Sequence, residues 1–113
     1  MATALIYHDD CLDHVTPRGY PEQVARLDAV MTALEGMDLK RVTAPLAADD
    51  DILRAHPQSH VSAMKAAAPA EGWKAIDEDT YMSVGTLAAA YRACISTIKY
   101  VKIRVFCVTI IRI

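Results

Sequence analysis

Residues 2–10 read Ala-Thr-Ala-Leu-Ile-Tyr-His-Asp-Asp. The run Ala2–Tyr7 is apolar, ends on a β-branched and an aromatic residue, and stops at a polar triplet, the pattern of a buried strand. Outward from it, His8–Tyr20 is rich in turn formers (Asp9, Asp10, Asp13, Pro17, Gly19) and reads as loop. Pro21-Glu22 is the expected helix start, with Pro in the first position and an acid in the first turn. Val24, Leu27, Val30, Met31 and Leu34 follow on one helical face, and Gly36 closes the helix.

The alternation continues. Leu39–Ala44 reads as a second short strand, stopped by Pro45. Asp49-Asp50-Asp51 sit where they stabilise the positive end of a short helix at Ile52-Leu53. Pro57 interrupts, and Ser59 is the expected cap of a helix over His60–Ala68. Pro69–Gly72 is a turn, Trp73–Ile76 a third strand and Asp77–Tyr81 a loop. Ser83 starts an Ala-rich helix through Cys94. Strands alternating with helices predict an α/β domain with a parallel sheet. Three short strands do not complete a doubly wound sheet, so the expectation is an incomplete α/β sheet with flanking helices, the first part of a larger domain.

The chain has 113 residues, 53 % of them hydrophobic and 23 % charged, with only 4 Gly and 5 Pro, which excludes disordered and collagen-like classes. Its net charge of −2 excludes an overall basic nucleic-acid binder. That average conceals a break after Cys94. Residues 1–94 hold all 19 Ala, all 14 acids and 8 of the 12 Lys/Arg, whereas residues 95–113 hold no acid and 4 Lys/Arg, and nine of those 19 residues are Ile or Val. The chain therefore divides into 1–94 and an atypical tail, 95–113. Cys11, Cys94 and Cys107 form neither a disulfide framework nor a CxxC zinc site, which fits a reducing, cytoplasmic setting. The N-terminus lacks the pattern of a signal peptide, and no apolar run reaches membrane-spanning length, so no membrane partner is expected.

Candidate chemistry is sparse. His56 and His60 are four apart, a metal-sharing spacing on a helix, but Pro57 between them opposes a continuous helix and surface or capping roles are favoured. His8, Asp9, Asp10, Cys11, Asp13 and His14 form a polar cluster after the first strand, read as a solvated loop in preference to a metal site. Asp77-Glu78-Asp79 follows a predicted strand and precedes a helix; a cation site, a helix cap and a substrate-binding rim are all compatible with it, and capping or solvation is the default reading. The cysteines have no evident His partner and read as structural thiols. No Gly-rich phosphate loop and no GxSxG elbow occurs.

Four stretches, in order, resemble the N-terminal part of the histone deacetylase superfamily, especially bacterial histone deacetylase-like amidohydrolases and acetoin-utilisation-type proteins. They are Ala4–His14; Gly19-Tyr20-Pro21-Glu22-Gln23-Val24-Ala25-Arg26-Leu27; Ile52–Val61; and Asp77-Glu78-Asp79-Thr80-Tyr81-Met82-Ser83-Val84-Gly85-Thr86. The resemblance implies an arginase/deacetylase-type α/β fold and zinc-dependent hydrolysis of an acetylated lysine or polyamine. It places Asp79 where the family has a rim acid that binds the substrate backbone. It places Arg26 at an arginine beside the acetate-release channel, against the plainer role of a salt bridge supporting the first helix.

The zinc ligands and water-activating His pair belong to later family segments, from a Gly-His-His motif onward, and this chain has no His after His60. No catalytic or metal-ligating residue and no zinc binding is therefore expected of this chain, which reads as an inactive N-terminal fragment. Tyr20 replaces the family's usual His, and Val24 and Val84 replace common prolines. The resemblance ends at Ala93. The tail is either out-of-frame sequence or a real strand, Val101, Ile103 and Val105 alternating with Lys102 and Arg104 and able to pair with a sheet edge or a second copy. A basic membrane-surface anchor fits less well. The alternative to a deacetylase fragment is a small non-enzymatic α/β module that assembles through this strand.

Overall fold

The computed structural model describes residues 3–99 and 105–107. β1 (Ala4–Tyr7) runs through the middle of a three-stranded sheet of order β2-β1-β5. β2 is Lys40–Thr43 and β5 is Val105–Cys107. Both pair with β1 in parallel, Ala4 facing Lys40 on one side and Val105 on the other. The central position explains why β1 is apolar at every residue. Ala4, Leu5 and Ile6 are 1–2 % exposed, because a central parallel strand is covered on both faces. β2 lies at an edge and carries its two cations, Lys40 and Arg41, exposed, a charge pattern that discourages pairing with another chain.

Parallel neighbours need a crossover, which α1 (Val24–Ala33) supplies between β1 and β2. The helix begins three residues later than Pro21 predicts. Gln23 is its N-cap residue, in extended conformation, but its side chain does not cap. The Gln23 amide instead donates to the loop before it, with Nε2 2.9 Å from the Pro17 carbonyl, 3.0 Å from that of Tyr20 and 3.1 Å from Thr16 Oγ1. That loop is not wholly irregular, since Asp9–Asp13 forms a 3₁₀ helix capped by His8, whose Nδ1 accepts the Asp10 N–H at 3.0 Å. Alternating short polar residues conceal such a turn from any periodicity argument.

α2 (Asp49–Leu53) starts at its triple Asp, with the Asp51 carboxylate accepting the Ala48 N–H. α3 (Gln58–Ala67) is separated from it by Pro57, which is itself the N-cap residue. Ser59 therefore lies inside the first turn and does not cap.

The larger correction concerns the third strand. β3 (Trp73–Ala75) forms an antiparallel hairpin with β4 (Tyr81–Ser83) in a separate two-stranded sheet. The expected loop and helix start at 81–83 are thus strand, and α4 (Thr86–Lys99) begins after Gly85. α4 runs past the composition break at Cys94. The second parallel neighbour of β1 comes from the tail, at Val105–Cys107. Ala2, Val101 and Ile103, which the sequence also reads as strand, lie outside the described residues.

α4 ties the parts together. Arg92 Nε donates to Asp10 Oδ2 at 2.8 Å and Nη1 to the Ala44 carbonyl at 2.9 Å. Tyr91 donates its hydroxyl to Asp49 at 2.7 Å, and Lys65 of α3 pairs with the same carboxylate at 2.5 Å. The innermost cluster is Ala4, Ile6 and Ala44, with Val42 against it. No described helix is long and apolar enough to cross a membrane.

Candidate functional site

The loop before α1 and the loop before β4 face each other across a cleft of about 330 Å³. One wall carries Tyr20, Glu22 and Arg26; the other carries Asp79, Thr80 and Tyr81. Gly19, at φ +94°, makes the turn that presents Tyr20, a conformation a β-carbon would strain. On the opposite wall, the Asp77 carboxylate accepts the Asp79 N–H at 2.9 Å and the Thr80 carbonyl accepts the Ile76 N–H at 2.9 Å, closing the hairpin turn. Of the three readings open for 77–79, Asp77 thus shapes a turn, while the exposed Asp79 reaches the cleft.

Arg26 and Asp79, 53 positions apart in sequence, line the same cavity. Arg26 is exposed and makes no ion pair among the described residues. The expected alternative, a salt bridge supporting α1, is absent among those residues.

The walls are joined where sequence reasoning had no signal. Tyr20 donates its hydroxyl to that of Tyr81 at 2.8 Å, with the rings edge to face and centroids 4.7 Å apart. This hydrogen bond, followed by burial and by the charges of Tyr81 and Asp79, pushes the Tyr20 hydroxyl up from its ordinary range. Tyr20 stood out only as a departure from the family's His.

A buried polar layer lies behind the cleft. His14 is 6 % exposed, and its Nδ1 is 2.8 Å from Thr86 Oγ1. Thr86 also accepts the Ser83 N–H at 2.7 Å. Ser83 Oγ accepts the Val15 N–H and donates to the Asp13 carbonyl, both at 3.0 Å. Residues of the fourth stretch thereby lock the end of the first. His14 Nε2 is buried without a hydrogen-bond partner, 3.7 Å from the Glu22 carboxylate.

The remaining candidates separate. His8 and Asp10 cap and anchor the 3₁₀ helix, so part of the polar cluster is structural. His56 and His60 stack at 4.9 Å between centroids beside an apolar cleft between α3 and α4. Cys11 is buried. Among the described residues no group of three His, Cys, Asp or Glu is placed to hold a metal ion.

The fold is a short parallel sheet with flanking helices that matches part of a histone deacetylase-type, arginase-like fold. The particular likeness is to the crystal structure of the HDA15 HD domain, with a TM-score of 0.72 and 20 % sequence identity over 82 % of this chain. The chain spans 29 % of that domain's length. No family model and no curated protein matches the sequence.

Proposed function

We propose that this chain is the N-terminal portion of a zinc-dependent deacetylase acting on acetyl-lysine or an acetylated polyamine. The observation that carries this reading is the fold likeness to the HDA15 HD domain over 82 % of the chain. The four ordered sequence stretches support it, and they alone carry the finer assignment to the bacterial amidohydrolase and acetoin-utilisation branch. In this reading Asp79 is the rim acid, a carboxylate able to accept two N–H donors of a substrate backbone, and Arg26 is the acetate-channel arginine. Their presence in one cleft supports both roles.

The described residues do not fit a zinc site. Zinc and the His pair belong to the part of the enzyme that this chain does not contain, and the chain alone is inactive. The test is to read the gene past codon 94 in all three frames. The expected result is a frame that continues the Ala-rich helix into a Gly-His-His motif and later Asp and His ligands. Absence of any such frame overturns the reading.

One observation favours the second reading, a small non-enzymatic module that self-associates through its tail. Val105–Cys107 pairs with β1 in register, as a genuine strand does, and β5 stands at the edge of the described sheet.

A further inference from the structure

His56, His60 and Met64 recur at four-residue intervals, the spacing that aligns side chains along one helical face. Pro57 breaks the helix between the first two, yet their rings meet. The turn that ends α2 holds His56, whose N–H donates to the Ile52 carbonyl at 3.1 Å, and His60 lies in the first turn of α3. The two imidazoles stack with centroids 4.9 Å and planes 26° apart.

Both rings and Met64 line one cavity of about 130 Å³ between α3 and α4, as does Cys94 of α4. Apolar side chains such as Ile52 and Leu87 complete its walls. Among the described residues no carboxylate lines it. Lys65 does, but its ammonium is engaged by Asp49 at 2.5 Å.

We propose that this cavity binds a single Cu(I) ion through the His56 and His60 imidazoles and the Met64 thioether. The donor set decides the metal. Hard cations such as calcium and magnesium take carboxylate oxygens, which the described lining lacks. A structural zinc site needs four thiolate, imidazole or carboxylate donors, and among the described residues no three of these are assembled. Thioether sulfur is soft and selects Cu(I), and imidazole also suits copper. A singly charged ion also costs less to desolvate in an apolar cavity than a divalent one. Two nitrogens that share an ion lie at most about 4 Å apart, twice a metal–imidazole bond of about 2.0 Å. Rings 4.9 Å apart between centroids reach that separation by side-chain rotation. His56 is exposed and His60 and Met64 are half-buried, which gives the ion a way in.

This cavity shares no lining residue with the cleft of Arg26 and Asp79. The inference goes beyond the deacetylase reading and does not depend on it. The test is competition for Cu(I) between the full chain and the chromogenic chelator bicinchoninate, under anaerobic reducing conditions. The expected result is one ion per chain, its affinity lowered at least tenfold in each of His56→Asn, His60→Asn and Met64→Leu. Circular dichroism checks that each variant is folded. His56 is exposed, so His56→Asn stays decisive even where a substitution at a half-buried position disturbs the fold. No bound copper, unchanged affinity in any folded variant of the three, or a loss confined to Cys94→Ser overturns the proposal.

Discussion

Arg92 holds three segments with one side chain. From α4 it donates to Asp10 in the 3₁₀ helix and to the Ala44 carbonyl after β2. Only a guanidinium offers several donors in a fixed plane, so lysine would keep the charge and lose the geometry. The Arg92 hydrogen bond, reinforced by the charges of His8 and Arg92 against a smaller desolvation effect, holds the Asp10 carboxyl below its ordinary range. A carboxyl lowered in the folded state stabilises the fold above the unfolded value, about 3.9, and the contribution is lost as pH falls through the folded value. Denaturation midpoints measured from pH 7 to pH 2 should therefore drop in the acid range, and Asp10→Asn should flatten that drop. It should not abolish it, because Lys65 and Tyr91 lower Asp49 in the same window. An unchanged slope in Asp10→Asn would show that the pair contributes nothing.

The junction of β4 and α4 shows what an element boundary can demand of a single position. A β-carbon on Gly85 would press into the Cβ and carbonyl of Asp13, whose carbonyl also accepts the Ser83 hydroxyl. The clash is with backbone and cannot be relieved by a rotamer change. Gly85→Ala should destabilise by about 3 kcal/mol, the upper range for overpacking. Val84→Ala, at a residue 61 % exposed, should stay within about 0.5 kcal/mol. Urea unfolding of the two variants tests the contrast, and equal stabilities would mean that 3₁₀ helix and α4 separate easily.

This junction also marks the limit of what the sequence made legible. β1, α1 and β2 were visible because each carries its own signal: an apolar run, a 3.6-residue period, or a strand cut off by Pro45. β4 was not, because three residues between an acidic turn and Gly85 have too little periodicity to register. Its identity comes from pairing with Trp73–Ala75. Arg26 and Asp79 emerged as candidates only through a family resemblance. The Tyr20–Tyr81 contact spans 61 positions and follows from the fold alone.

At the scale of the whole molecule, the exposed area is 7336 Å², whereas a compact monomer of 12.4 kDa exposes about 6,100 Å². The radius of gyration is 14.6 Å, against about 13.3 Å for a compact chain of this length. Among the described residues several large apolar side chains are exposed. None of α1 is buried although Val24, Leu27, Met31 and Leu34 form a face, and Met37, Leu46, Trp73 and Val84 are each more than half exposed. A protein so disposed gains little hydrophobic stabilisation for the chain entropy it loses on folding. We therefore expect the isolated chain at neutral pH to enhance the fluorescence of the apolar dye ANS and to unfold over a broad thermal range. A narrow calorimetric transition without dye binding would show that the chain forms a self-sufficient module, and would favour the interaction-module reading over the deacetylase fragment. Dye binding that persists in a monomer points the other way, because the half-buried α1 face is a surface that the rest of a larger α/β domain would bury fully.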